Sequence, residues 1–310
     1  MEQFILKKTI LYLLIILVAF NCSSDDDGKL EESESKVKLK KFTSITSGFI
    51  NTSETSEIYY LNNGKPQAIL DPYGNVLSVI YQGDKLFKFA NNTYTFDTEN
   101  RLKTITNLDY GICTLHYNSQ NLLIRQEIVA PNSIGSTEEL HITRDLSYND
   151  NNQITEILET ETNNYRIDKY VLEYNNDEQL TNYEIFVSEQ SNTPLELIEE
   201  VEITYDSSRN PLVPIYNNLD LNNSISMITL KELAPSFLSN TAFGHYEGFK
   251  INYVPQNNIL STIVSSPFNE ALSENYSYNL IDDYPSSSEV NISGGFFSYS
   301  AEILWEYTTD

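Results

Sequence analysis

One imperfect repeat, running from about residue 58 to about residue 290, limits this chain to very few folds. Each copy reads apolar-x-Tyr, Asn or Asp, a short polar stretch, then Leu, Ile or Pro, two residues and usually another apolar one. The fullest copy is Tyr94-Thr95-Phe96-Asp97-Thr98-Glu99-Asn100-Arg101-Leu102-Lys103-Thr104-Ile105. Leu146-Ser147-Tyr148-Asn149 leads to Ile154 and Ile157, and Leu172-Glu173-Tyr174-Asn175 leads to Leu180 and Tyr183. Further copies start at Tyr60, Tyr205, Tyr253 and Tyr278, and the copy from Tyr117-Asn118 to Leu122 reads one residue shorter. Residues two apart, such as Leu172 and Tyr174, share one face of a strand. Asn and Asp then leave the ladder readily, because their side chains bond nearby backbone in turns. Asn100, Asn152 and Asn257 stand four residues after the aromatic, where a tight turn calls for positive φ, which Asn tolerates. Glu178 and Arg209 occupy that position in other copies. The returning apolar pair is three apart, which strict alternation cannot place on one face, so a bulge at the turn mouth is expected. Each unit is then one β-hairpin, and the series makes an all-β antiparallel meander, either a curved open sheet or a partly closed barrel-like wrap.

Phe96-Asp97-Thr98-Glu99-Asn100-Arg101-Leu102 resembles the Tyr-Asp-x-x-Gly-Arg-Leu core of YD (RHS-type) repeats, with Asn100 in place of the turn glycine. Copy spacing varies widely, unlike the steadier period of the large YD shells, so the resemblance implies a smaller wrap rather than a cargo-enclosing shell. Tyr205-Asp206-Ser207-Ser208-Arg209-Asn210-Pro211, and Tyr276 to Asn279 ending in Tyr284-Pro285, resemble segments of Bacteroidota cell-surface lipoproteins.

The N-terminus carries a similar resemblance. Lys7 and Lys8 precede an apolar run from Ile10 to Phe20, too short for a membrane span, and Cys22 follows where a secretory peptidase would cut. Val18 to Cys22 resembles a lipoprotein signal, and Ser23-Ser24-Asp25-Asp26-Asp27 is similar to an acidic surface-export tag. That resemblance implies a signal peptide over 1–21, lipidation of Cys22 and an outer-membrane location facing the cell surface. Residues 22–41 then form a flexible acidic tether, and 42–310 a single β domain. An excursion over 211–248, with a helix-like run at Ile225 to Leu233 stopped by Pro235, interrupts that domain.

Charge narrows the function. The formal net charge of −25 becomes −26 on loss of the signal, because Glu2, Lys7 and Lys8 leave together. So acidic a surface excludes nucleic acid, whose phosphates need a basic face. Contact with the membrane is expected through the lipid anchor alone. Once Cys22 is lipidated, Cys113 is the one remaining thiol, and its apolar strand-like setting marks it as core. His116, His141 and His245 have no partner at metal-ligand spacing, so neither metal nor cofactor is expected. Asn149 to Asn152 and Asn175 to Glu178 offer oxygens a calcium ion could use, but they read as turn chemistry. Most of the 22 tyrosines pack in the repeat. Tyr59, Tyr165, Tyr183, Tyr246 and Tyr299 fall outside the leading-aromatic position and are the candidates for stacking a ligand. The expectation is a non-enzymatic scaffold that binds a glycan or an envelope protein. Its alternatives are an assembly component pairing through sheet edges, and a hydrolase built on paired carboxylates.

Overall fold

In every full repeat copy the Asx residue closes the turn. At Asp97, Oδ1 accepts the backbone N–H groups of Glu99 (2.8 Å) and Arg101 (2.9 Å), and Asn100 adopts φ +62°. Asn118, Asn149 and Asn175 do the same, with positive φ at Asn121, Asn152 and Glu178. The calcium-capable oxygens of Asn149 and Asn175 are thus spent on their own turns. Arg209 and Asn257 depart from expectation: both lie in strands, paired with each other, and neither has positive φ.

The computed structural model describes residues 38–47, 52–71, 73–107, 111–131, 138–161, 166–189, 193–218, 255–294 and 297–308. They form eighteen strands: β1 Lys38–Ser47, β2 Thr52–Tyr60, β3 Pro66–Leu70, β4 Val76–Gln82, β5 Lys85–Phe89, β6 Asn92–Phe96, β7 Leu102–Asn107, β8 Gly111–Tyr117 and β9 Leu123–Pro131. β10 Glu139–Tyr148, β11 Ile154–Glu161, β12 Ile167–Tyr174, β13 Leu180–Ser188, β14 Glu196–Arg209, β15 Asn257–Ser266, β16 Asn269–Ile281, β17 Tyr284–Gly294 and β18 Phe297–Thr308 follow. A short helix, α1 Val213–Asn218, comes after β14. β1 begins inside the stretch read as tether, because Leu39 is buried and opposes Tyr307.

Each strand pairs antiparallel with the next, and β18 pairs back onto β1 from Lys38↔Thr308 to Ser47↔Ser300. The wrap is therefore a closed barrel, and none of the eighteen described strands has an unpaired edge. Every pairing of an even strand onto the following odd one carries the expected bulge: Phe96 opposes Leu102 while Thr95 opposes Thr104, leaving Lys103 extra. The bulge puts both Leu102 and Ile105 inside, as it does Ile154 and Ile157. The copy at Tyr117 is not shorter, since its partner is Leu123 rather than Leu122. Tyr81 to Leu86 is a further copy, one residue tighter, turning at Gly83 with φ +62°.

The leading tyrosines tie neighbouring hairpins together. Tyr60, Tyr81, Tyr117, Tyr148, Tyr205, Tyr278 and Tyr307 donate their hydroxyls to the carbonyls of Leu39, Pro66, Leu102, Leu123, Leu180, Ile259 and Pro285, at 2.5–3.0 Å. The residue before each acceptor often covers the same ring. Lys38, Lys65 and Arg101 lie 5.7, 5.1 and 4.9 Å over Tyr60, Tyr81 and Tyr117, and the Tyr284 ring meets Tyr307 at 5.6 Å. Burial raises the Tyr117 hydroxyl to about 12, so it stays a donor at any physiological pH.

Inward side chains such as Ile69, Phe89, Ile105, Cys113, Leu172, Ile185, Val290 and Ile303 make one apolar core. After Asn210 the chain turns into the barrel: Leu212, Val213 and Ile215 are buried, and Pro211 and Leu212 line a cavity of about 20 Å³ with Tyr276, Tyr278 and Trp305. That is room for one water. This entry starts the excursion expected at 211–248; the run from Ile225 to Leu233 lies outside the described residues, as does Tyr253.

Candidate functional site

Residues that point outward on the strands are overwhelmingly hydrophilic. Cross-strand pairs ring the outside: Lys41–Glu306 at 3.0 Å, Arg125–Asp145 at 2.6 Å, Lys169–Glu156 at 2.7 Å and His116–Glu127 at 3.3 Å. Threonine pairs such as Thr95–Thr104 add to them. A membrane-spanning barrel needs an outward apolar band, and each Lys or Arg near its middle costs about 2–4 kcal/mol. In this barrel the buried side chains are mostly apolar, and cross-strand charged pairs lie outside. Eighteen strands are enough for an aqueous channel, yet the lining is apolar and buried.

Large apolar side chains are nevertheless exposed at several places, among them Ile112 on β8, Ile263 on β15, Ile281 on β16 and Leu304 on β18, and one group lies on β2 to β5. On β2 to β5, Tyr59 opposes Ala68, which opposes Ser78; Leu70 opposes Val76; and Ile80 opposes Lys88. Tyr59, Val76, Ile80 and the bulged Phe87 are 47, 62, 46 and 41% exposed, and Tyr73 in the adjoining turn is 82% exposed. Opposed positions on neighbouring strands lie about 5 Å apart, so these side chains share one outer face with Ser78 and Lys88 among them. The Tyr59 hydroxyl donates to Glu57 (2.8 Å), and that hydrogen bond holds the phenol above its ordinary range. Flat aromatic surface with a fixed carboxylate beside it suits either a sugar ring or a protein side chain.

The other expected stacking residues fare differently. Tyr183 is corrected: it is 1% exposed, facing the core as the second apolar residue after the Tyr174 bulge, and cannot stack an external ligand. Tyr165, Tyr246 and the lipidation residue Cys22 lie outside the described residues, as does the side chain of Tyr299. Cys113 is buried, as its setting suggested.

A groove of about 470 Å³ opens beside the Asn175 turn, lined by Asp177, Gln179, Thr181, Thr204, Asp206 and Ser207. It exists because the next joint departs from the repeat. Tyr205 pairs with Ile259 across the whole excursion, instead of leading to Pro211. A chain of hydrogen bonds leads away from it, from Asn175 to Gln179 (3.0 Å), Gln179 to Asn257 (2.8 Å) and Asn257 to the Ser208 carbonyl (3.2 Å).

Two facing carboxylates inside the barrel are each held by an arginine. Glu159 and Asp168 oppose each other, but Arg144 holds Glu159 at 2.5 Å and Arg166 holds Asp168 at 2.8 Å. Glu274 is 1% exposed and its carboxyl is pushed up to about 7, mainly by burial, with the Tyr276 hydroxyl at 2.8 Å pulling the other way. Its register neighbours are Thr262 and Ile292, not a second acid.

No family model matches the chain, and no curated protein matches it. Among solved structures it is similar to a porin-like protein from Bacteroides vulgatus, at 12% identity and a TM-score of 0.41, over 88% of this chain and 99% of that one. A porin-like protein from Bacteroides uniformis gives 14% identity and 0.45, over 87% and 96%. The Photorhabdus luminescens Tc holotoxin pore gives 11% and 0.30, over 79% of this chain and 14% of that one.

Proposed function

We propose that this chain is a lipid-anchored barrel of the outer membrane, facing outward, that serves as a non-enzymatic scaffold. It binds an envelope protein or a glycan on the outer face of β2 to β5. The observation that carries this reading is the outer face of β2 to β5, on which Tyr59, Val76, Ile80 and Phe87 are exposed together. Monomers seldom expose an apolar patch of several hundred Å² without a use for it. The buried, mostly apolar interior supports a scaffold over a conduit, and the arginine-paired carboxylates argue against the hydrolase reading. Closure removes the edges on which edge-to-edge assembly would depend.

The test uses the full chain and its Ile80→Asp variant, displayed on cells and screened against purified surface glycans and envelope proteins. A ligand held by the native chain and released by Ile80→Asp is expected. Equal binding by both would move the site elsewhere.

A further inference from the structure

We infer that the groove beside the Asn175 turn binds a guanidinium group, presented by an arginine side chain of a partner protein, between the Asp177 carboxylate and the Tyr205 ring. This site is separate from the β2 to β5 face and stands or falls independently of it. Four successive aromatics of the repeat already have a cation of the chain over the ring. Lys38, Lys65, Lys85 and Arg101 lie 5.7, 5.1, 5.1 and 4.9 Å over Tyr60, Tyr81, Phe96 and Tyr117. Each cation directly precedes the returning apolar residue of one joint (Leu39, Pro66, Leu86 or Leu102) and covers the leading aromatic of the next. Arg101 is also held by its own turn, with Asp97 at 2.7 Å and Glu99 at 3.0 Å. Its guanidinium thus lies between turn carboxylates and a ring.

The Asn175 turn keeps that arrangement without the cation. Asn175-Asn176-Asp177-Glu178-Gln179 matches Asp97-Thr98-Glu99-Asn100-Arg101, with the same two backbone N–H bonds to its first side chain. Tyr205 donates to the Leu180 carbonyl as Tyr117 does to that of Leu102. Asp177 therefore stands in the place of Glu99, Tyr205 in that of Tyr117, and Gln179 in that of Arg101. The uncharged Gln179 amide is engaged with Asn175 (3.0 Å) and Asn257 (2.8 Å). Asp177, Gln179, Tyr205 and Asp206 line the groove of about 470 Å³, and none of the described residues lining it is basic. Residues 170–308 carry three Lys or Arg against twenty Asp or Glu, so the field on this side draws cations. A guanidinium fits better than an ammonium, because its planar fork pairs with a carboxylate while its face stacks on a ring.

Calorimetric titration of the purified full chain with acetyl-arginine amide, and with the uncharged acetyl-citrulline amide of the same shape, tests the site. The arginine probe should bind at least about tenfold more tightly than the citrulline one. Gln179→Arg supplies the chain's own cation, as Arg101 does, and should abolish that binding. Asp177→Asn, at an exposed turn position, should weaken it by about tenfold. Gln153→Arg makes the same charge change in the neighbouring turn, where Asn151 replaces the carboxylate, and should leave the binding intact. Equal affinity for the two probes would overturn the site, as would undiminished arginine binding by Asp177→Asn or by folded Gln179→Arg. Equal loss in Gln153→Arg and Gln179→Arg would assign the binding to overall charge and overturn it as well.

Discussion

At Glu274 burial and charge oppose each other. Its carboxyl titrates near 7 in the folded chain, against 4.5 as the ordinary value, so the fold holds that proton more tightly than the unfolded chain does. The sign follows: the neutral acid is accommodated below about pH 4.5, and stability is lost as pH rises from there through 7. The shift corresponds to ~3 kcal/mol once Glu274 is fully ionised. Glu274→Gln should therefore be more stable than the native chain by about 2–3 kcal/mol at pH 8 and nearly equal to it at pH 4.5, measured by urea unfolding at both values. An equal difference at both pH values would show that the carboxyl does not titrate as described. Glu178 gives a second case. It sits at φ +63° in an exposed turn where the sequence motif has glycine, and Glu178→Gly should gain about 1 kcal/mol by relieving the left-handed conformation.

The unit of construction is the bulged joint between an even strand and the next odd one. It was legible before any coordinates because an apolar pair three residues apart has no place in a regular strand. Leu102 with Ile105 and Ile154 with Ile157 pointed to a bulge for that reason. Local pattern failed where the pairing is not local. Tyr205 reaches Ile259 over an excursion, and nothing near Pro211 announces it. Tyr183 looked free because it lies outside the leading-aromatic position, but the Tyr174 bulge turns it inward. Closure was equally hidden, since Tyr307 and Leu39 repeat the internal joint from opposite ends of the chain. That closing joint makes a prediction. Thr43 opposes Leu304 across β1 and β18, so the Thr43→Cys, Leu304→Cys pair should oxidise to an intramolecular disulfide that changes mobility on a non-reducing gel. A chain whose first and last strands are apart would leave both thiols free.

Across the whole molecule, polarity decides what the barrel can do. The repeat places its apolar residues on one face of every strand, and closure turns that face inward. The outside carries Lys, Glu, Asp, Thr and Ser in cross-strand pairs such as Lys169–Glu156, with some exposed apolar residues among them. The sequence implied this sidedness through strand alternation, while the apolar exception on β2 to β5 needed the register that brings Tyr59, Val76 and Ile80 together. Under the proposed reading the barrel stands in water, its lipid alone holds it to the membrane, and it offers its surface rather than its lumen. Detergent phase separation of residues 38–310, produced without the N-terminal segment, tests that claim most directly. Recovery of the folded domain in the aqueous phase is the predicted result, and recovery in the detergent phase would contradict it.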